Sequence, residues 1–302
     1  MRKFRIQNSK LEVEKLLPGL KRNILLASYT TFKIGGVAKY FFIAKQKEDI
    51  ALAISWAKKN NLPFFILGGG GSTLVADTGY KGLVIKIQNS EFRVQNSNIV
   101  AEAGATLNRL SKLAQENSLS GLEWAVGIPG TLGGAIWGNC GAFGESISDK
   151  VQEVKVFDSH EEGIKILKRK DCKFSYRTSI FKKKKNFIIL SAKLGLKKGN
   201  KKEIEEKIKK NIEYRKRTQP QLPSAGSIFR NPKGFFAAKL IEDCGLKGRK
   251  IGKAKISDKH ANFILNLGGA TSKDIKKLIK LVKKKVENNF AIELEEEICY
   301  LN

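Results

Sequence analysis

Histidine, cysteine and methionine are scarce in this chain, at two, four and one in 302 residues. With only His160 and His260 available, a Ser-His-Asp hydrolase has poor material to work with. Cys140, Cys172, Cys244 and Cys299 stand far apart, form no CxxC pair and have no neighbouring histidine. That spacing excludes a zinc site and a disulfide framework, so free buried thiols and no metal are expected. Long apolar runs are missing too: nothing approaches the roughly 18 residues of a membrane span. The basic stretch Met1 to Lys10 is not followed by the apolar segment of a secretory signal. No membrane span and a cytoplasmic location are therefore expected.

Acidic side chains are few as well, 29 against 57 basic ones, giving a formal charge of +28. Such a balance raises a nucleic-acid reading, because Lys and Arg neutralise phosphates. Lysine supplies most of the cations, whereas base and phosphate readers lean on the planar arginine fork. The lysines also spread over helix faces: between Ser272 and Val286 the residues Ile275, Leu278, Ile279, Val282 and Val286 recur at helical spacing and lysines fill most of the rest. That is a solvated amphipathic face, and no nucleic-acid partner is expected. The field left over favours a small anionic substrate such as a nucleotide.

With 41% hydrophobic and 28% charged residues the chain is an ordinary globular one, long enough for two or three domains. Residues 1–29 read as an amino-terminal helical segment. Helices are expected over 47–60, with Ile50, Ala53, Ile54 and Ala57 on one face, and over 106–117, 197–217, 235–244 and 272–288. Residues 30–44 read as a turn leading into a strand, and further strands are expected at 64–67, 83–87, 99–103, 151–157, 187–193, 261–267 and 294–300. The composition shift near 195–200 marks a boundary, giving domains at 30–196, divided near 90, and at 197–302. The fold class is α+β.

Two glycine-dense tracts each sit beside an expected buried strand: Gly68, Gly69, Gly70, Gly71, Ser72 and Thr73, and then Gly127, Ile128, Pro129, Gly130, Thr131, Leu132, Gly133 and Gly134. Glycine lets successive backbone N–H groups converge on an anion without a Cβ in the way. Neither tract is a P-loop, and neither opens a helix in the Rossmann pattern. A long diphosphate cofactor lying across both fits them better than two separate turns do. A further segment, 224–232, presents Ser227 between Gly226 and the Arg230-Asn231 pair.

These segments, taken in order, resemble the UDP-N-acetylenolpyruvoylglucosamine reductase family. The likeness runs from about Thr30 to the carboxyl end through TTFKIGG, GGGGS, AGATL, GIPGTLGGA, FSYRTSIF, SAGSIFRNP, AAKLIEDCGLKG, SDKHANFILN and ELEEEI. It implies a two-subdomain FAD-binding portion of the vanillyl-alcohol oxidase-like, PCMH type, followed by an α+β substrate-binding domain. The length is similar to that of the shorter type of this reductase. Non-covalent FAD is implied, with NADPH as reductant and UDP-N-acetylglucosamine enolpyruvate as substrate; a monomer is expected. Ser227 matches the proton donor, and Arg177 with Glu297 matches the pair that polarises the substrate carboxylate. Tyr176 and Asn231 match substrate-contacting positions. The tracts listed above, from Gly68 to Thr73 and from Gly127 to Gly134, match the flavin diphosphate cradle.

The sequence departs from the family pattern at Thr73, Gly138, Cys140 and Glu296, where asparagine, methionine, alanine and proline are usual. Strand alternation puts Glu295 and Glu297 on one face and Glu296 on the other, and Glu297 is the residue assigned. Reduction of an enol ether needs a hydride, which no side chain can donate, and then a proton. A permanent cation such as Arg177 gains value as negative charge builds on the substrate carboxylate. An ionised Glu297 would oppose that charge, so either it is protonated or it is tightly paired with Arg177. A flavoprotein oxidase with the same cofactor fold is the competing enzymatic reading.

Overall fold

The computed structural model describes residues 17–302. Its first sheet has four strands in the order Lys21–Leu25, Val37–Ala44, Tyr80–Ile87, Phe64–Leu67. The last three run parallel, with Val84 opposite both Phe41 and Phe65. A parallel neighbour requires a crossover, and the helix Lys47–Lys59 supplies it. Asp49 Oδ2 accepts from the backbone of Lys45 and Gln46 at 2.8 and 3.0 Å, satisfying donors at the helix start. The opposite side of the helix buries Ile50, Ala53, Ile54, Trp56 and Ala57.

The second sheet is antiparallel, in the order Gly163–Lys168, Val151–Asp158, Phe187–Gly195, Asn98–Glu102, Phe92–Gln95. The change of sheet falls between Ile87 and Phe92. Helix Leu107–Glu116 is capped by Thr106 Oγ1, which accepts from Arg109 N at 3.3 Å. The short helix Leu132–Gly138 is capped in the same way by Thr131. Both sheets pour into one core: Phe42 and Ile85 from the first meet Ile99, Val154 and Leu190 from the second.

The carboxyl-terminal part has a three-stranded sheet, Lys250–Ile251, Ala254–Ile256, Ile264–Asn266, with helices Ala237–Asp243 and Ser272–Phe290. The latter begins in a reciprocal cap between Thr271 and Asp274 and buries the expected stripe. Two features tie this part to the first. Phe32, Ile34 and Leu74 enter its core, and the strand Cys299–Leu301 pairs in parallel with Thr73–Val75.

Three expectations need correction. Of the helical segment at 1–29, residues 1–16 lie outside the described residues. Lys21–Leu25 is a strand, paired with Val37–Ala44, and only Leu26–Tyr29 makes a 3-10 turn. The helix expected from 197 begins at Lys201 and docks mainly on the first part: Asn211 Nδ2 donates to Glu123 O at 3.0 Å and Arg215 Nη2 to Trp124 O at 3.1 Å, while from the second part Lys259 Nζ reaches Lys216 O. The strand expected at 294–300 is confined to Cys299–Leu301, because 295–298 bonds irregularly to the 228–230 segment instead.

Candidate active site

The strand Phe64–Leu67 runs straight into the first glycine tract, and the geometry there admits no larger residues. Gly70 has φ +68°, and a Cβ on it would stand 2.2 Å from Tyr29 O. A Cβ on Gly71 would stand 2.4 Å from Pro129 O in the second tract. The two loops therefore touch backbone to backbone.

Most of their carbonyls are occupied. Gly70 O accepts from Thr31 N at 3.1 Å, Ser72 O from Cys299 N at 2.8 Å and Gly130 O from Leu107 N at 3.1 Å. Lys86 Nζ binds Gly68 O, and burial pushes that ammonium below the usual lysine range. By contrast, among the described residues the N–H groups of Gly69, Gly70, Gly71, Ser72, Gly130 and Thr131 have no acceptor. Oriented donors with their carbonyls tied back form an anion-binding concavity.

A cavity of about 500 Å³ opens between the tracts, with residues 68–73, 128–131, Gly133 and Gly134 in its wall. Gly127 is not in that wall; its N–H donates to Asn108 Oδ1 at 2.6 Å. Apolar side chains including Ile87, Leu107 and Phe181 complete one side. Free donors on one side, apolar walls on the other and glycines with open space at 130 and 138 fit a cofactor that carries both a diphosphate and a flat ring system. A shallower depression of about 400 Å³ lies on the lysine-rich side of the last long helix and shares Tyr300 with the cavity wall.

Glu297 also lines the cavity. Its backbone N–H donates to Ile228 O at 2.7 Å, so the 227–230 segment and the glutamate are held side by side. Arg177 Nε lies 3.0 Å from Glu297 Oε1, and the N–H points off that line, so the contact is an ion pair and not a directed hydrogen bond. Arg177 Nη2 donates to Gly141 O at 2.8 Å. The contact with Arg177 that one of the two alternatives for Glu297 requires is present. Glu295 instead pairs with Arg230 at 3.1 Å, and Glu296 turns toward Tyr300 and Lys283.

Arg177 reaches Glu297 from a tight turn. Ser175 and Thr178 exchange both backbone bonds at 3.1 Å, leaving Tyr176 and Arg177 at the turn's centre. Arg177 takes φ 52°, the left-handed value that a type II turn demands of its third residue and that glycine or asparagine usually supplies. An arginine there costs about 1–2 kcal/mol. Strain of this kind persists where the surroundings over-determine it.

Ser227 is partly exposed, and among the described residues its hydroxyl has no partner. Gly226 before it has φ +71°. Asn262 fixes the loop after it, accepting from Phe229 N at 2.9 Å and donating to Phe229 O at 2.8 Å. Tyr176 Oη accepts from Asn231 N at 3.2 Å. Asn231 Oδ1 accepts from Ala237 N at the start of the next helix at 3.0 Å, and among the described residues its amide N–H groups have no partner. Arg177, Ser227, Tyr176 and Asn231 are not part of the cavity wall, and of these Arg177 contacts Glu297.

Sequence reasoning passed over several residues. Asn262 lay within the SDKHANF motif. Lys86 and Lys182 were indistinguishable from solvated lysines. Cys140 and Cys299 line the cavity. Burial pushes the Cys140 thiol up to about 11, with Arg177 lowering and Glu297 raising it; the part of its surface left open faces the cavity.

Comparison with known proteins now bears on this geometry. Residues 38–166 match the family described as FAD binding domain. Residues 219–301 match the family described as UDP-N-acetylenolpyruvoylglucosamine reductase, C-terminal domain. The chain is 42% identical over 293 residues to the UDP-N-acetylenolpyruvoylglucosamine reductase of Caldanaerobacter subterraneus subsp. tengcongensis, covering 95% of this chain and 96% of that one. It is 40% identical over 293 residues to the enzyme of that name from Clostridium novyi, covering 96% and 95%. The crystal structure of UDP-N-acetylenolpyruvylglucosamine reductase from Thermus caldophilus superposes with a TM-score of 0.81 at 32% identity, covering 94% of this chain and all of that one. With identity of 40% or more over nearly all of both chains, and with its carboxyl-terminal part matching the reductase's own domain, this chain belongs to the UDP-N-acetylenolpyruvoylglucosamine reductase family.

Proposed function

We propose that Arg177, Glu297 and Ser227 carry the family's reaction in this chain: reduction of UDP-N-acetylglucosamine enolpyruvate to UDP-N-acetylmuramate for peptidoglycan synthesis. The chain is an FAD-dependent oxidoreductase. Bound FAD, reduced in turn by NADPH, supplies the hydride for the terminal carbon of the enolpyruvyl group. The protein supplies placement, charge and a proton.

Residues 69–72, Gly130 and Thr131 would hold the cofactor diphosphate through their free N–H groups. Arg177 offers a permanent cation to the substrate carboxylate, and its attraction grows as negative charge moves onto that group. Pairing with Glu297 keeps the guanidinium aimed at the cavity wall and offsets part of its charge in the absence of substrate. Ser227 Oγ–H delivers the proton to the carbon bearing the carboxylate. A hydroxyl is a weak acid, but an enolate carbon is a strong enough base to take its proton when the two are aligned. Tyr176 and the Asn231 amide border the approach and are assigned to substrate contact.

Four free thiols support a reducing, cytoplasmic setting. The observation that carries the reading is the set of unpaired N–H donors facing a cavity whose wall includes the ion-paired Glu297. Anaerobic stopped-flow tests it. NADPH should bleach the yellow protein and the enolpyruvyl sugar nucleotide should restore the colour; reduced protein left unchanged by that substrate would refute the assignment.

A further inference from the structure

Arg177 holds a conformation unfavourable to its side chain, and one group in the structure grips its carbonyl. Lys182 Nζ donates to Arg177 O at 2.8 Å. The lysine sits on the short helix Ile180–Lys183, in the cavity wall with Glu297, and its ammonium lies 4.6 Å from the Trp137 ring centre. The ring face stabilises the cation on one side while the carbonyl binds it on another.

We propose that Lys182 is a positioning residue for Arg177: by binding the carbonyl of the left-handed turn, it holds the guanidinium against Glu297 at the edge of the cavity. Arg177 is then fixed at both ends, its carbonyl by Lys182 and its guanidinium by Gly141 O and Glu297. The inference rests on the assignment of Arg177 and Glu297 to the reaction. Sequence could not reveal it, because Lys182 opens a run of four lysines in which a solvated side chain is the ordinary case.

The charged and titratable groups facing the ammonium are Arg230, Glu297, Cys299 and Arg177. Burial, and then Arg230, push its pKa below the usual lysine range, while Glu297 and Cys299 oppose the shift. The cation is therefore lost at lower pH than on an exposed lysine. A neutral amine is the weaker donor to a carbonyl, so the grip on Arg177 loosens on the alkaline side.

The test compares the FAD-loaded wild type with Lys182→Met and Lys182→Arg. Losing a charged hydrogen bond predicts a roughly ten- to hundredfold fall in kcat for enolpyruvyl substrate reduction in K182M, with KM changing less and substantial rescue in K182R. The alkaline limb of the wild-type kcat profile should move to higher pH in K182R and vanish in K182M. A second readout needs no turnover: the Arg177 Nε–H resonance of the substrate-free protein, assigned by its absence in Arg177→Lys, should shift in K182M and return in K182R. An unmoved resonance, or wild-type kcat in K182M, overturns the proposal. Should K182M fail to fold, Lys182→Gln is read by the same two measurements. A wild type that never reduces the enolpyruvyl substrate would refute the functional assignment instead, and the resonance would still decide the role of Lys182.

Discussion

Gly130→Ala should separate the scaffold of this protein from its cofactor cleanly. Gly130 lies in the cavity wall, lacks a left-handed φ, and a Cβ built on it meets no atom within 4 Å. The flavin-stripped protein should therefore gain about 0.4–1 kcal/mol from the restricted unfolded chain. At roughly 2–4 °C per kcal/mol, its Tm should rise by about 1–4 °C. The methyl group intrudes where the diphosphate is assigned, and overpacking of that kind costs about 1–3 kcal/mol. FAD affinity should fall by roughly 5- to 150-fold. Gly71→Ala is the contrasting case: its Cβ would stand 2.4 Å from a backbone carbonyl of the other loop, so the stripped protein itself should lose about 1–3 kcal/mol. Calorimetry of the stripped proteins and quenching of flavin fluorescence on titration read both quantities. Wild-type FAD affinity in Gly130→Ala, or an unchanged Tm in stripped Gly71→Ala, would refute the assignment of the two tracts as a mutually packed cradle.

Ser227→Ala should leave flavin reduction by NADPH nearly intact and slow reoxidation by substrate by orders of magnitude; equal loss in both half-reactions in stopped-flow would remove Ser227 as proton donor. Asn262→Ala should cost roughly 2 kcal/mol or more in urea unfolding, because it orphans Phe229 N and O in the buried loop behind Ser227; an unchanged midpoint would mean the loop is held otherwise. Burial pushes the Cys140 and Cys172 thiols up to about 11 from an ordinary 9. Above pH 9 the unfolded chain releases protons that the folded chain keeps, so stability present below that pH is lost as pH rises toward 11. The urea midpoint should fall across this range, and Cys172→Ala should flatten the fall; equal slopes would contradict it.

Much of the local structure could be read from residue order alone. The stripe of Ile275, Leu278, Ile279, Val282 and Val286 foretold Ser272–Phe290, since a 3.6-residue period leaves few alternatives over five turns. The glycine tracts were legible because each removes Cβ atoms where two backbones meet. The pairing of Arg177 with Glu297 was legible only as a family likeness, because nothing local to either residue encodes a contact across 120 positions. Lys21–Leu25 was misread as helical because its alternation is short and mostly exposed, and only its partner Val37–Ala44 makes it a strand. The Lys201–Thr218 helix looked like the start of a domain because it is so heavily charged. Its own side-chain bonds to the first part, from Asn211 and Arg215, outnumber the one it accepts from the second, from Lys259 to Lys216 O.

The parallel pairing of Cys299–Leu301 with Thr73–Val75 has a bearing on biogenesis. A ribosome completes both glycine loops early, yet the strip that seals their flank emerges only after nearly all the remaining polypeptide. Because Cys299 and Tyr300 line the cavity, a fragment comprising the two amino-terminal sheets alone would be missing one side of that pocket.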